Sequence, residues 1–171
     1  TVFISSLVLS SFPTNAATTQ SEGVTNISYE TVGTAISPAS QKDWRLLRTV
    51  PGVYAYMKPY SDWWVNKIYH VESFSTPIRN IEVLSNEVRV RSWETYTISD
   101  YSRSNVSTNV KVRIRAKNGK YSYYTVGAFP ASENWSQLSF SLTTPIDTVS
   151  FAVIHSYSAA WYLELGDLVY S

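Results

Sequence analysis

Catalysis at neutral pH draws first on imidazoles and carboxylates, and His70 and His155 are the only two histidines in this chain. It has no cysteine, and the patterns G-x-S-x-G, H-E-x-x-H and a glycine-rich phosphate loop are all absent. A glycosidase needs only a pair of carboxylates at a set separation. Most of the 13 acidic residues, however, fall at run ends or in turns, among them Asp43, Asp62, Asp100, Glu133 and Asp147. Glu94 and Glu164 lie inside strand-like runs and are the acids to test first. A satisfied or solvent-facing carboxylate is the commoner role for each, so the sequence argues against an enzyme.

Binding chemistry is better represented. In SDWWVNKIYH, neighbouring strand residues face opposite ways. Trp63 then sides with Val65, Tyr69 and Val71 toward a core. Trp64 sides with Asn66, Ile68 and His70, a mixed surface on which a sugar ring could stack while Asn66 and His70 bind its hydroxyls. The plainer alternative buries Trp64 under a loop or against a neighbouring subunit. In NVKVRIRAK, Val110, Val112, Ile114 and Ala116 share one face, and Lys111, Arg113, Arg115 and Lys117 the other, with Arg89 and Arg91 in the preceding run. That cationic face suits an anionic glycan or an acidic neighbour; a solvated face that discourages edge pairing needs the same residues.

The elements that must hold these groups are strands. The chain has 171 residues, 15% of them aromatic, and is rich in β-branched and hydroxylated types. Alternating runs at 26–31, 53–58, 63–71, 78–84, 87–98, 109–117, 120–129, 137–143, 148–156 and 160–170 predict an all-β fold. Proline at 51, 59, 77, 130 and 145 marks their boundaries, and Asn118-Gly119 predicts a type I′ hairpin turn. This spacing fits a two-sheet antiparallel sandwich. The net charge of +1 gives no sign of a nucleic-acid partner, and no run is long and apolar enough to predict a membrane-spanning helix.

The opening TVFISSLVLSSF has no charge and is the most apolar run present. Read as a strand, it carries Val2, Ile4, Val8 and Phe12 on one face and Phe3, Leu7 and Leu9 on the other. A strand donated to a neighbouring subunit would be covered on both faces in this way. Residues 1–17 equally suit a truncated signal peptide, with Asn15-Ala16-Ala17 near its cleavage site. The expected organisation is an apolar strand at 1–12, a polar linker at 13–25 and a sandwich over 26–171. Asn26, Asn105 and Asn134 stand in Asn-x-Ser sequons, compatible with a glycosylated, exported surface.

Three stretches together give a resemblance. NISYETVG with the Trp of KDWRL, then ENWSQLSFSLTTP, then WYLELGDLVYS resemble the start, the Trp followed by a strand ending at Thr-Pro, and the closing strand of secreted jelly-roll carbohydrate-binding modules of the galactose-binding-like type. The resemblance implies a jelly-roll sandwich, to which residues 1–12 would add an N-terminal extension strand. It also implies a structural calcium between Glu30 of the first strand and Asp167 of the last, although Gly166 and Tyr29 depart from the usual pattern.

Two functions are expected from these features. The first is a non-catalytic extracellular filament or adhesive surface protein, its subunits joined by donation of residues 1–12 to another copy. The alternative is a secreted module that binds polysaccharide through exposed aromatics at Trp64, Asn66 and His70. A membrane-active toxin ranks third, on aromatic content alone.

Overall fold

The structure, a computed structural model, describes residues 23–31, 44–48, 50–59, 67–74, 80–159 and 162–171. All the regular structure in them is strand, and every strand pair is antiparallel. In chain order the strands are β1 (Val24–Thr31), β2 (Trp44–Leu46), β3 (Val53–Pro59), β4 (Lys67–Ser73), β5 (Ile81–Ser85) and β6 (Val88–Arg89). They continue with β7 (Thr95–Ser104), β8 (Thr108–Ala116), β9 (Tyr121–Phe129), β10 (Ser132–Thr143), β11 (Thr148–Tyr157) and β12 (Tyr162–Tyr170).

Sheet A runs β1-β10-β7-β12-β4-β3 and sheet B runs β2-β5-β11-β8-β9, with β6 paired to β11 beside β5. Apolar residues at alternate positions supply the layer between them: Ile98 on β7, Leu138, Phe140 and Leu142 on β10, Leu163 and Leu165 on β12. Sheet B answers with Val110, Val112 and Ile114, then Phe151 and Val153. This is the period-2 pattern of two sheets packed face to face, and it is a jelly-roll sandwich.

A polar bridge crosses the core. Asp100 of β7 binds His155 Nε2 of β11, both fully buried, and His155 Nδ1 lies 3.0 Å from the Thr108 hydroxyl. Beside it Trp44 lies edge-on to His155 and donates its Nε1–H to the Gly166 carbonyl at 2.7 Å, tying β2 of one sheet to β12 of the other.

Some sequence expectations need correction. The run expected at 87–98 divides into β6 and β7, because Trp93 takes a positive φ of 65° and the chain turns there. Thr144 holds that turn, its carbonyl accepting from Trp93 N–H at 3.0 Å and its hydroxyl from Glu94 N–H at 3.2 Å. Glu94 therefore sits in a turn, not in a strand. The Asn118-Gly119 hairpin is present, but Asn118 is not at positive φ. Gly119 alone is, at 80°, in a three-residue loop where Gly119 N–H donates to the Ala116 carbonyl and Asn118 Oδ1 accepts from Lys120 N–H. β1 starts at Val24, two residues inside the expected linker.

Candidate functional site

The outward face of sheet A holds the most organised set of polar and aromatic side chains among the described residues. Its parity follows from the register. Leu163 and Leu165 point into the core, so Tyr162 and Glu164 point out, and the pairs Glu164↔His70, Tyr162↔Glu72, Tyr56↔His70 and Tyr54↔Glu72 carry the same face across β12, β4 and β3. On the other side of β12, Glu164 pairs with Arg103 of β7.

Glu164 is the centre of this face and is 1% exposed. Its Oε1 lies 2.8 Å from His70 Nδ1 and 3.3 Å from Lys58 Nζ, and its Oε2 accepts from Arg103 Nε. Burial alone would raise the carboxyl pKa. Hydrogen bonds from His70 and Arg103, with the charges of Arg103 and Lys58, outweigh burial and hold it down to about 2. Glu72 Oε2 stands 3.3 Å from the other His70 nitrogen, so each ring nitrogen has a carboxylate within reach.

Aromatic rings frame the charges. The His70 ring stacks on Tyr162 with centroids 5.9 Å apart and planes 11° apart, and Tyr56 tilts over it at 5.0 Å. Arg103 lies over the Trp135 ring at 5.2 Å. Trp135, Tyr101 and the buried Ile68 form a small apolar cluster on the same side. Along the outer edge, Tyr54 and Tyr56 of β3 are exposed, and Phe74 meets Tyr54 edge-on at 5.8 Å.

The rest of the face carries rows of short hydroxyls, with the exposed Val169 level with Ser99. Ser28, Ser139 and Ser99 lie in one row across β1, β10 and β7, with the Ser99 and Ser139 hydroxyls 3.3 Å apart. Thr25, Ser141 and Thr97 form the next row. A carboxylate, an imidazole and two cations fixed beside rings and a low hydroxylated floor can hydrogen-bond a polyhydroxylated chain and stack its rings. Glu164 is held ionised, so it is not suited to serve as the proton-donating carboxyl of a glycosidase, which must hold a proton near neutral pH.

Of the residues expected to bind glycan, His70 is on this face. Trp64 and Asn66 lie outside the described residues, as do Val2, Phe3, Ile4, Leu7, Val8, Leu9 and Phe12 of the expected assembly strand. Glu30 lies on β1 and Asp167 on β12, with β10 and β7 between those strands in sheet A. No cluster of three or more His, Cys, Asp or Glu side chains that could hold a metal ion occurs among the described residues. Asn26 is exposed at a positive φ of 53° where β1 shifts register, Asn134 is exposed on β10, and Asn105 Oδ1 accepts from Tyr162 N–H at 3.2 Å. The partners that sequence reading missed are Lys58 and Arg103, whose meeting with Glu164 depends on strand order alone, and Glu72, which meets His70.

Residues 66–159, more than half of the chain, match the carbohydrate binding domain family. The chain belongs to that family. The match runs from the start of β4 through β11, so this carbohydrate binding domain draws Tyr54, Tyr56, Lys58, Tyr162 and Glu164 from outside its matched segment. No curated protein sequence matches it.

Solved structures share the fold at low identity. The enzymatically active domain of tailspike protein 4 from bacteriophage CBA120 aligns at a TM-score of 0.63 and 10% identity over 75% of this chain and 19% of that one. The CBM22-1 and GH10 modules of Clostridium thermocellum endo-1,4-β-D-xylanase 10B, complexed with xylohexaose, align at 0.59 and 12% identity over 84% of this chain and 28% of that one. The CBM22-1 xylan-binding domain of Paenibacillus barcinonensis Xyn10C aligns at 0.53 and 13% identity over 85% and 94%. The carbohydrate binding domain thus spans under a third of the tailspike and of the xylanase modules, and nearly all of the isolated xylan-binding domain.

Proposed function

We propose that the protein is an exported, non-catalytic module that binds a neutral polysaccharide chain along the outward face of sheet A. The observation that carries this reading is the Glu164-centred network set among Tyr162, His70, Tyr56 and Trp135, in a chain of the carbohydrate binding domain family. Tyr54 and Tyr56 would stack successive sugar rings at the edge of the face, and Arg103, Lys58 and Glu72 would take hydroxyls. Around Glu164 the two cations are balanced by two carboxylates, which suits a ligand without charge. The relatives solved with xylohexaose or described as xylan-binding support a β-1,4-linked backbone as the first ligand to try.

The test is affinity electrophoresis through gels containing xylan, mixed-linkage glucan or galactan. The intact protein should be retarded by one of these glycans, and Tyr56→Ala should migrate freely while keeping its circular dichroism spectrum. Retardation of Tyr56→Ala equal to that of the wild type would overturn the reading.

A further inference from the structure

The opposite face of the sandwich has its own organised surface. On sheet B, Val110, Val112 and Ile114 face the core, so Lys111, Arg113 and Arg115 of β8 point outward. Next to them, the edge strand β9 sets Tyr121 and Tyr123 on the same face, at 45% and 57% exposure, through the pairs Arg115↔Tyr121 and Arg113↔Tyr123. On the other flank, Arg89 of β6 pairs with Ser150, itself level with Arg115. Among the described residues, Glu87 is the one carboxylate that meets these groups. It lies 3.1 Å from Arg113 Nη2 and 3.6 Å from Arg115 Nη1, and it accepts from the Tyr121 and Ser150 hydroxyls at 3.2 and 3.0 Å.

This surface differs from a solvated face that merely blocks edge pairing. Edge protection needs charge on the edge strand. Here the edge strand presents two exposed tyrosines, and the cations stand one strand in. One of the cations is held rather than loose: the Arg113 side chain is 9% exposed, with its guanidinium over the Tyr121 ring at 4.5 Å. Among the described residues of this patch, four cations against one carboxylate leave a surplus of three, in a chain whose formal net charge is only +1.

We infer that this face is a second glycan surface, and that its ligand is an anionic polysaccharide carrying carboxylate or sulfate groups. Tyr121 and Tyr123, two residues apart on one strand face, offer ring platforms roughly 7 Å apart. Lys111, Arg115 and Arg89 supply cations one to three strands away for the acidic substituents, with Arg115 able to meet a carboxylate in a planar fork. An acidic protein would use the charge but would gain little from two exposed rings on an edge strand. This site is independent of the one on sheet A.

The experiment measures binding of the whole chain to polygalacturonate, to heparin and to poly-glutamate in low salt by isothermal titration. The wild type should bind at least one of the two glycans, more weakly as salt rises. The combined Lys111→Gln, Arg115→Gln, Tyr123→Ser variant should lose about tenfold or more in affinity. Tyr56→Ala should leave this binding unchanged, so failure here and failure of the sheet A reading are separable. Tyr123→Ala alone should weaken the glycan and not poly-glutamate. Absence of binding to both glycans would overturn the proposal, as would full affinity in the combined variant. Equal affinity for poly-glutamate, unaffected by Tyr123→Ala, would assign the face to acidic proteins instead.

Discussion

Replacing Glu164 with glutamine removes one charge at constant shape from the most buried point of the sheet A face. The carboxyl is held down to about 2 against an ordinary value of 4.5, so the folded state favours its ionised form. A shift of that size corresponds to about 3 kcal/mol at neutral pH. Breaking a buried ion pair by removing one partner costs about 3–5 kcal/mol. Arg103 and Lys58 keep side-chain exposures of 22% and 41% and can turn to water, which places the expected loss at the low end, about 2–3 kcal/mol. Urea denaturation at pH 7 should show that loss with an unchanged m-value. The pH dependence has a definite sign. A carboxyl whose folded pKa is depressed contributes its full stability above the unfolded value of 4.5 and loses it as pH falls toward 2. The gap between wild type and Glu164→Gln should therefore be constant above pH 5 or so and close on going to about pH 2. A gap under about 1 kcal/mol at pH 7, or one that does not narrow in acid, would refute the network as described.

Three further substitutions probe the scaffold. Trp44→Phe deletes the Nε1–H bond to Gly166 and strands that buried carbonyl, so chemical denaturation should show a loss of about 1–3 kcal/mol. His155→Leu leaves Asp100 buried without its partner, and the protein should lose about 3–5 kcal/mol, read from the denaturation midpoint. Gly119→Ala meets no atom within 4 Å but forces a side chain to a φ of 80°, so the melting temperature should fall by an amount equivalent to about 1 kcal/mol.

The strand pattern was legible wherever apolar residues alternate, as in Val110-Lys111-Val112-Arg113-Ile114, because one buried face imposes period 2 on the sequence. It failed where polar residues face inward. Asp100, Ser102 and Ser104 are buried on β7, so the end of that strand read as a loop although it pairs with β10 and β12. β2 is only three residues long, too short to show a period, and Trp44 marked it only through a resemblance. At the site, Glu164 stood out as an acid within a strand, and His70 as an outward imidazole beside Ile68. That they meet follows from β12 lying between β4 and β7, a long-range order that no local pattern encodes. The type of turn at Gly119 was missed for a related reason: Asn-Gly permits both a two-residue and a three-residue loop, and strand register chooses between them.

The central claim is that the outward face of sheet A holds the polysaccharide, and backbone amide NMR of the labelled protein titrated with a β-1,4-linked xylo-oligosaccharide tests it most directly. Saturable shifts concentrated on Tyr54, Tyr56, His70, Arg103 and Tyr162 are the expected result. Shifts confined to sheet B, or none at millimolar oligosaccharide for every neutral glycan tried, would contradict it.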